Sequence, residues 1–128
     1  MKLLLDTHAL LWWLFDDPAL SVRARELIAD RANTVYVSAA SAWEIAIKWR
    51  LGRLPDAEEA VRRLPRLVEA AGFMMLPIAL EHTLTAGTLD SPLRDPFDRM
   101  LVAQCLGEGM LLISRNEAIT SAFSDVRW

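Results

Sequence analysis

Three acidic residues and one amide stand out in this 128-residue sequence because each follows a short apolar run or opens a predicted helix. They are Asp6, Glu44, Asp98 and Asn116. A cluster of carboxylate and amide oxygens suits a hard divalent cation such as Mg²⁺ or Mn²⁺, which prefers oxygen ligands and keeps several waters. A zinc site is poorly supported, because the chain has one Cys and two His.

The segments that carry these residues predict strands alternating with helices. Helices are expected after Ser21, after Ser41 and from Pro96, and a further one over residues 57–72 should be kinked or split at Pro65. Such alternation implies one α/β domain over residues 1–128, with a mostly parallel sheet of four to five strands. The predicted strands are the apolar runs KLLL (2–5), TVYV (34–37), FMML (73–76) and MLLI (110–113), with VRW (126–128) as a short edge strand.

In such a sheet the strand carboxyl ends and the helix N-termini share one edge, where ligands bind, so the four residues are expected to meet there. Each also has a structural explanation. Ser41 and Glu44 match a capping box, Asp98 complements the dipole of its helix, and Asn116 and Asp6 can cap the helices that follow them. Capping does not explain why all four gather at one edge. Clustered carboxylates repel one another unless a cation neutralises them.

Composition limits the classes of function. No run approaches the ~20 apolar residues of a membrane span, and Asp6 interrupts the only stretch resembling a signal peptide, so a cytoplasmic protein is expected. The lone Cys105 suits a buried thiol in a reducing compartment. A net charge of −3 argues against nucleic-acid binding by bulk positive charge, so any such contact would be local. The 53% hydrophobic content, with five Trp, suggests a partner interface.

Three segments in order resemble PIN-domain proteins, and most of all the VapC-type toxins of bacterial toxin–antitoxin pairs. They are LLLDTHALLWWL, VSAASAWEIAIKWRLGRL, and DPFDRMLVAQ followed by LLISRNEAI. The resemblance runs nearly end to end. It implies a three-layer α/β/α fold, an Mg²⁺- or Mn²⁺-dependent endoribonuclease that hydrolyses RNA, a homodimer, and inhibition by a small cognate antitoxin.

The resemblance assigns the catalytic and metal-binding roles to Asp6, Glu44 and Asp98. Asn116 falls where the family usually has a fourth acid, so it is expected to be a weaker ligand. A second metal should then bind more weakly, or only with the substrate phosphate present. Asp95 or Glu117 are the alternatives for supplying the missing charge.

The expected reaction uses water activated by the metal, which also offsets charge on the phosphoryl oxygens. The carboxylate that accepts the water proton stays open between Glu44 and Asp98. Thr7 and Ser114 can donate hydrogen bonds to a carboxylate or to phosphate, while His8 and His82 are expected mainly to fill structure.

Basic residues near the predicted edge, above all Lys48, Arg99 and Arg115, are candidates for contacting the RNA backbone. Lys48 lies four residues after Glu44, so an ion pair on the helix is its alternative. The apolar stripe of residues 10–15 is expected either to pack in the core or to meet a dimer or antitoxin partner. The alternative function is a PIN-like binding module that has lost catalysis, a hypothesis motivated by Asn116.

Overall fold

Short apolar runs form a five-stranded, all-parallel sheet in the computed structural model, which describes residues 1–128. The order across the sheet is β3-β2-β1-β4-β5. This confirms the predicted sheet, with every strand end within one residue of expectation, including the C-terminal edge strand, where Trp128 lies outside. The strands are β1 (Lys2–Leu5), β2 (Thr34–Ser38), β3 (Met74–Leu76), β4 (Leu111–Ile113) and β5 (Val126–Arg127).

Strand β1 is central, which explains its unbroken apolar sequence. Leu3, Leu4 and Leu5 are completely buried because helices cover both faces of the sheet. Alternate side chains point to opposite faces, so Leu3 and Leu5 join one core and Leu4 joins the other. The chain therefore has three layers, as expected.

Seven helices form the two outer layers. The first four pack on the face of Leu3 and Leu5, and the sixth and seventh pack on the face of Leu4. No helix combines the length and hydrophobicity needed to cross a lipid bilayer. The helices are α1 (Thr7–Leu14), α2 (Val22–Ala29), α3 (Ala39–Arg50), α4 (Glu58–Ala70), α5 (Leu80–Thr88), α6 (Pro96–Glu108) and α7 (Glu117–Ala122).

Helix α3 begins three residues earlier than the predicted capping box requires. Its N-cap is Ser38, whose hydroxyl accepts a hydrogen bond from the Ala40 amide, and two alanines with high helix propensity follow. The expected capping box of Ser41 and Glu44 is therefore wrong. Glu44 lies in the second turn of α3, so its side chain does not cap the helix and instead lines a cavity at the sheet edge.

Two further helices are not as predicted, since α4 is not split and α5 was not among the predicted helices. Helix α4 runs unbroken through Pro65, which is exposed, so the backbone carbonyl that the proline leaves unpaired can be hydrated. Helix α5 has no counterpart among the predicted helices because Ala79, which has no capping oxygen, precedes it. In place of an ordinary cap, Nδ1 of His82 accepts a hydrogen bond from the Ala79 amide.

Candidate active site

The carboxyl edge of the sheet has a natural ligand position between β1 and β4. The chain places successive strands outwards from β1 in one direction and then starts again on its other side with β4. Ligands of open α/β sheets bind at such a switch point. Asp6 leaves β1 directly at this position, and residues 114–116 leave β4 beside it.

A cavity of about 300 Å³ opens at this point. It contains the four residues predicted to meet at one edge, which the structure thus brings together from four separate segments. Among the predicted supporting and RNA-contacting residues, four line it and two, Ser114 and Arg99, do not. The lining residues are Asp6, Thr7, His8, Trp12, Glu44, Lys48, Asp95, Asp98, Arg115 and Asn116.

Asp6 is both a helix cap and a wall of the cavity. Its Oδ1 accepts a 2.7 Å hydrogen bond from the Ala9 amide, which starts α1. Burial raises the pKa of this carboxyl, against the opposing effect of hydrogen bonds from the Ser114 hydroxyl and the Ala9 amide. Asp6 can therefore cap α1 and serve the site at once, because the N-terminus of a helix that begins at the carboxyl edge of the sheet lies at the cavity.

Glu44 is buried with both of its oxygens engaged. Oε1 accepts a hydrogen bond of 2.5 Å from the Thr7 hydroxyl, and Oε2 lies 2.5 Å from Nζ of Lys48. The Thr7 oxygen is also 3.1 Å from the hydroxyl of Ser41. Thr7 thus supports the carboxylate as expected, and the alternative ion pair of Lys48 is present.

Asp98 lies in the first turn of α6, as predicted, with the strongest charge crowding in the cavity. Burial and the neighbouring carboxylates of Asp95, Glu44 and Asp6 raise the pKa of Asp98 from 3.8 to about 7. Its Oδ2 accepts a 3.3 Å hydrogen bond from the amide of Asn116. The protein alone therefore stabilises the negative charge of the ionised Asp98 poorly.

Asn116 contributes a donor but no charge to the cluster. Its Oδ1 accepts a hydrogen bond from the Ala118 amide and so caps α7. Of the two alternatives for a further acid, Asp95 lines the cavity and Glu117 does not. Asp95 uses Oδ1 to cap α6, since it accepts from the amides of Phe97 and Asp98.

Arg99 lies outside the cavity, and most N–H donors of its guanidinium bind backbone carbonyls. Nε donates to the Ala86 carbonyl, and the two terminal nitrogens donate to the carbonyls of Leu89, Ser91 and Leu93. The side chain thus fixes the loop between α5 and α6. Arg99 does not line the cavity, and four of its five N–H donors are bonded to backbone carbonyls, so the structure gives no support to its predicted contact with RNA.

The donor set fits a hard divalent cation in its chemistry. All candidate ligands are oxygens, and a cation would offset both the burial and the carboxylate repulsion that raise the pKa of Asp98. However, no three acidic, histidine or cysteine side chains are arranged as a ready metal-ligand set. The expectation that three carboxylates cage an ion directly is therefore too strong. Mg²⁺ commonly binds through one or two carboxylates and keeps several waters, which this arrangement allows.

His8 and Trp12 are cavity residues that the sequence did not predict as site residues. They lie four residues apart on α1, so both project from one helix face, with ring centroids 5.4 Å apart. Their sequence context, an apolar stripe, indicated packing rather than a site. Spacing from Asp6 gave no signal for them, because neither residue lies three, four or seven positions after it.

The sequence profile of the PIN domain matches residues 3–126. The chain belongs to the PIN domain family. This PIN domain is 27% identical over 118 residues to "Ribonuclease VapC22" of Mycobacterium tuberculosis, an alignment that covers 92% of this chain and 89% of that protein. It is 40% identical over 62 residues to "Ribonuclease VapC16" of the same organism, covering 48% of this chain and only 43% of that relative.

Solved structures share the fold of this PIN domain at low sequence identity. VapBC2 of Rickettsia felis, bound to a DNA fragment from its promoter, gives a TM-score of 0.69 at 14% identity, covering 100% of this chain and 99% of that one. A toxin–antitoxin complex of Klebsiella pneumoniae gives a TM-score of 0.64 at 18% identity, covering 98% of this chain and 95% of that one. VapBC-1 of nontypeable Haemophilus influenzae gives a TM-score of 0.65 at 18% identity, covering 100% of this chain and 96% of that one.

Proposed function

We propose that this PIN domain is a VapC-type endoribonuclease, the toxin of a toxin–antitoxin pair, and that it hydrolyses RNA phosphodiester bonds with Mg²⁺ or Mn²⁺. The observation that carries the proposal is the cavity at the switch point of the sheet, where Asp6, Glu44 and Asp98 meet from three separate segments. Family membership and the ribonuclease names of the relatives support it.

The metal would be held by Asp6, Glu44 and Asp98, one or two of them directly and the others through water that the ion retains, with Asn116 as a weaker neutral ligand. When bound, it supplies a water of lowered pKa and offsets negative charge on the phosphoryl oxygens. The chain itself contributes the positions of the carboxylates. Thr7 holds Glu44, and the N-termini of α1 and α6 direct partial positive charge towards the cavity, where it favours an incoming phosphate.

Asp98 is the carboxylate best placed to accept the proton of the attacking water. Both oxygens of Glu44 are engaged by Thr7 and Lys48, whereas Asp98 has only Oδ2 in a hydrogen bond. Of the two carboxylates that the sequence left open for this role, Glu44 and Asp98, the proposal therefore takes Asp98. Lys48 and Arg115 line the same cavity, and because Lys48 is paired with Glu44, Arg115 is the one whose positive charge is free for the RNA backbone.

The proposed partners are the RNA substrate, a small cognate antitoxin and a second copy of the chain. Exposed apolar side chains provide surface for the two protein partners. Trp43, whose ring meets that of Phe97, and Leu80 and Leu84 on one face of α5 are each more than half exposed.

The decisive experiment incubates the purified protein, free of antitoxin, with single-stranded RNA. Cleavage is expected with Mg²⁺ or Mn²⁺, should stop with EDTA, and should be lost in Asp6→Asn. Asparagine can still accept from the Ala9 amide, so that variant keeps the cap of α1 and its fold. Asp30→Asn is the matched control, because exposed Asp30 also accepts from a backbone amide, that of Ala32, outside the cavity.

RNA that stays intact with Mg²⁺ or Mn²⁺, while the protein is folded and still binds a partner, would instead support the alternative of a binding module without catalysis. Asn116 is the observation that favours this alternative, because it replaces a negative charge with a neutral amide.

A further inference from the structure

The guanidinium of Arg115 lies over an aromatic ring at the wall of the cavity. Its guanidinium carbon lies 4.4 Å from the ring centroid of Trp12, much closer than the 5.9 and 6.0 Å of the two other cation–π contacts in the chain. A guanidinium stacked in this way keeps its N–H donors at its edge, where they can meet a planar or tetrahedral anion.

Trp12 is itself fixed from two sides. His8 contacts it from one turn earlier in α1, and the ring of the C-terminal residue, Trp128, meets it edge-on at a centroid distance of 5.8 Å. Trp128 follows β5, which pairs with β4, the strand that leads into Arg115. Trp128 and Arg115 thus follow neighbouring strands of the sheet, and both contact the ring of Trp12.

Arg115 is the cavity cation that remains free. The other basic residue there, Lys48, is paired with Glu44, and Arg115 takes part in none of the four ion pairs of the chain. Four carboxylates nearby would ordinarily attract it, so its position on Trp12 keeps the charge available. A phosphodiester entering this acidic cavity needs a positive charge of this kind.

We propose that Arg115, positioned by Trp12, forms a phosphodiester-binding subsite of the cavity. The inference rests on the proposed function, since it takes RNA as the ligand. Arg115 contacts a non-bridging phosphate oxygen through its N–H donors, and Trp12 acts as a positioning residue that holds the guanidinium at the wall.

The test is binding of labelled single-stranded RNA in EDTA, measured by fluorescence anisotropy over a series of KCl concentrations. Arg115→Met should weaken binding at low salt by about tenfold, the effect of one charge-assisted contact. It should also reduce the slope of log K against log salt by about 0.7, as expected for one phosphate contact on a single strand. Arg23→Met, which removes an exposed arginine outside the cavity, should leave both quantities unchanged.

A double-mutant cycle tests the role of Trp12. Trp12→Phe should keep most of the affinity because it retains an aromatic face, whereas Trp12→Leu should lose it. In the Trp12→Leu background, Arg115→Met should cost clearly less than in the wild-type protein. A purely structural Trp12 would give additive losses and no difference between Phe and Leu.

An unchanged salt slope in Arg115→Met, additive effects in the cycle, or no binding by the wild-type protein at low salt would each overturn the subsite. These outcomes are distinct from failure of the proposed function. If wild-type protein binds RNA through Arg115 but cleaves none with Mg²⁺ or Mn²⁺, the subsite stands and the endoribonuclease proposal falls. If the wild-type protein cleaves RNA while Arg115→Met binds RNA as tightly as wild type, the endoribonuclease proposal stands and the subsite falls.

Discussion

The hydroxyl of Thr7 donates a 2.5 Å hydrogen bond to Oε1 of Glu44, joining the first residue of α1 to the second turn of α3 across 37 positions of sequence. Both side chains are buried. The bond fixes the carboxylate against the neighbouring segment that carries Asp6. The relative position of two of the proposed metal ligands therefore depends on a residue that carries no charge.

Thr7→Val tests this relationship. The substitution keeps the shape of the side chain but leaves a buried carboxylate oxygen without its donor, which should lower the free energy of unfolding by about 1–3 kcal/mol. RNA cleavage should fall as well, because Glu44 loses its fixed orientation. Urea unfolding and a cleavage assay measure the two effects. Thr83→Val is the control, since Thr83 is exposed on α5 and bonds only to the Leu80 carbonyl; equal effects of the two variants would refute a special role for Thr7.

Lys48→Met should destabilise the metal-free protein far more than Arg62→Met. Both residues pair with a glutamate four positions earlier, but Glu44 is buried whereas Glu58 is exposed. Removing one partner of a buried pair leaves an uncompensated charge and can cost about 3–5 kcal/mol, whereas an exposed helical pair contributes about 0.3–0.5 kcal/mol. Denaturant unfolding in EDTA provides the comparison. Similar losses of unfolding free energy in the two variants would mean that water, and not Lys48, stabilises the negative charge of Glu44.

The raised pKa of Asp98 predicts how the stability of the metal-free protein depends on pH. The folded state binds this proton more tightly than the unfolded chain does, because the pKa rises from 3.8 to about 7, mainly through burial. The resulting stabilisation is complete below about pH 4 and is lost as the pH rises through about 7. The free energy of unfolding in EDTA should fall across this range.

Asp98→Asn should flatten that dependence and make the metal-free protein more stable than wild type above pH 7, as measured by urea unfolding at several pH values. Asp30→Asn, an exposed change, should follow the wild-type profile. Divalent cation should stabilise the wild-type protein more at high pH than at low pH, since it meets the ionised carboxylate. Parallel profiles for wild type and Asp98→Asn would show that Asp98 titrates normally.

The sequence predicted those features that depend on local signals. Apolar runs located the strands, and Asp95 followed by Pro96 located the start of α6. The meeting of Asp6 and Asp98 could be inferred because parallel strand ends share an edge with the following helix N-termini. The predicted start of α3 was wrong because both Ser38 and Ser41 can cap a helix. The helix begins after Ser38, where two alanines with high helix propensity follow.

Features that depend on tertiary contacts could not be predicted in this way. Arg99 is an example, because its carbonyl acceptors lie in α5 and the loop behind it, and α5 itself begins without a capping residue. The stacking of Arg115 on Trp12 is another, since the two residues are 103 positions apart and neither forms a local motif with the other. Such partners are decided by packing, not by spacing along the chain.

Asn116→Asp tests whether the missing charge limits metal binding. Aspartate can still cap α7 by accepting from the Ala118 amide, but it no longer donates to Asp98 and places a second carboxylate beside it. The variant should therefore be less stable than wild type in EDTA near neutral pH, because the two acids repel. With Mn²⁺ it should bind more tightly or with higher stoichiometry by titration calorimetry, because the added charge favours the cation. Adding Asp6→Asn to the variant should reduce the gain if both residues serve the same ion, whereas equal affinity and stoichiometry in Asn116→Asp and wild type would show that Asn116 does not limit the site.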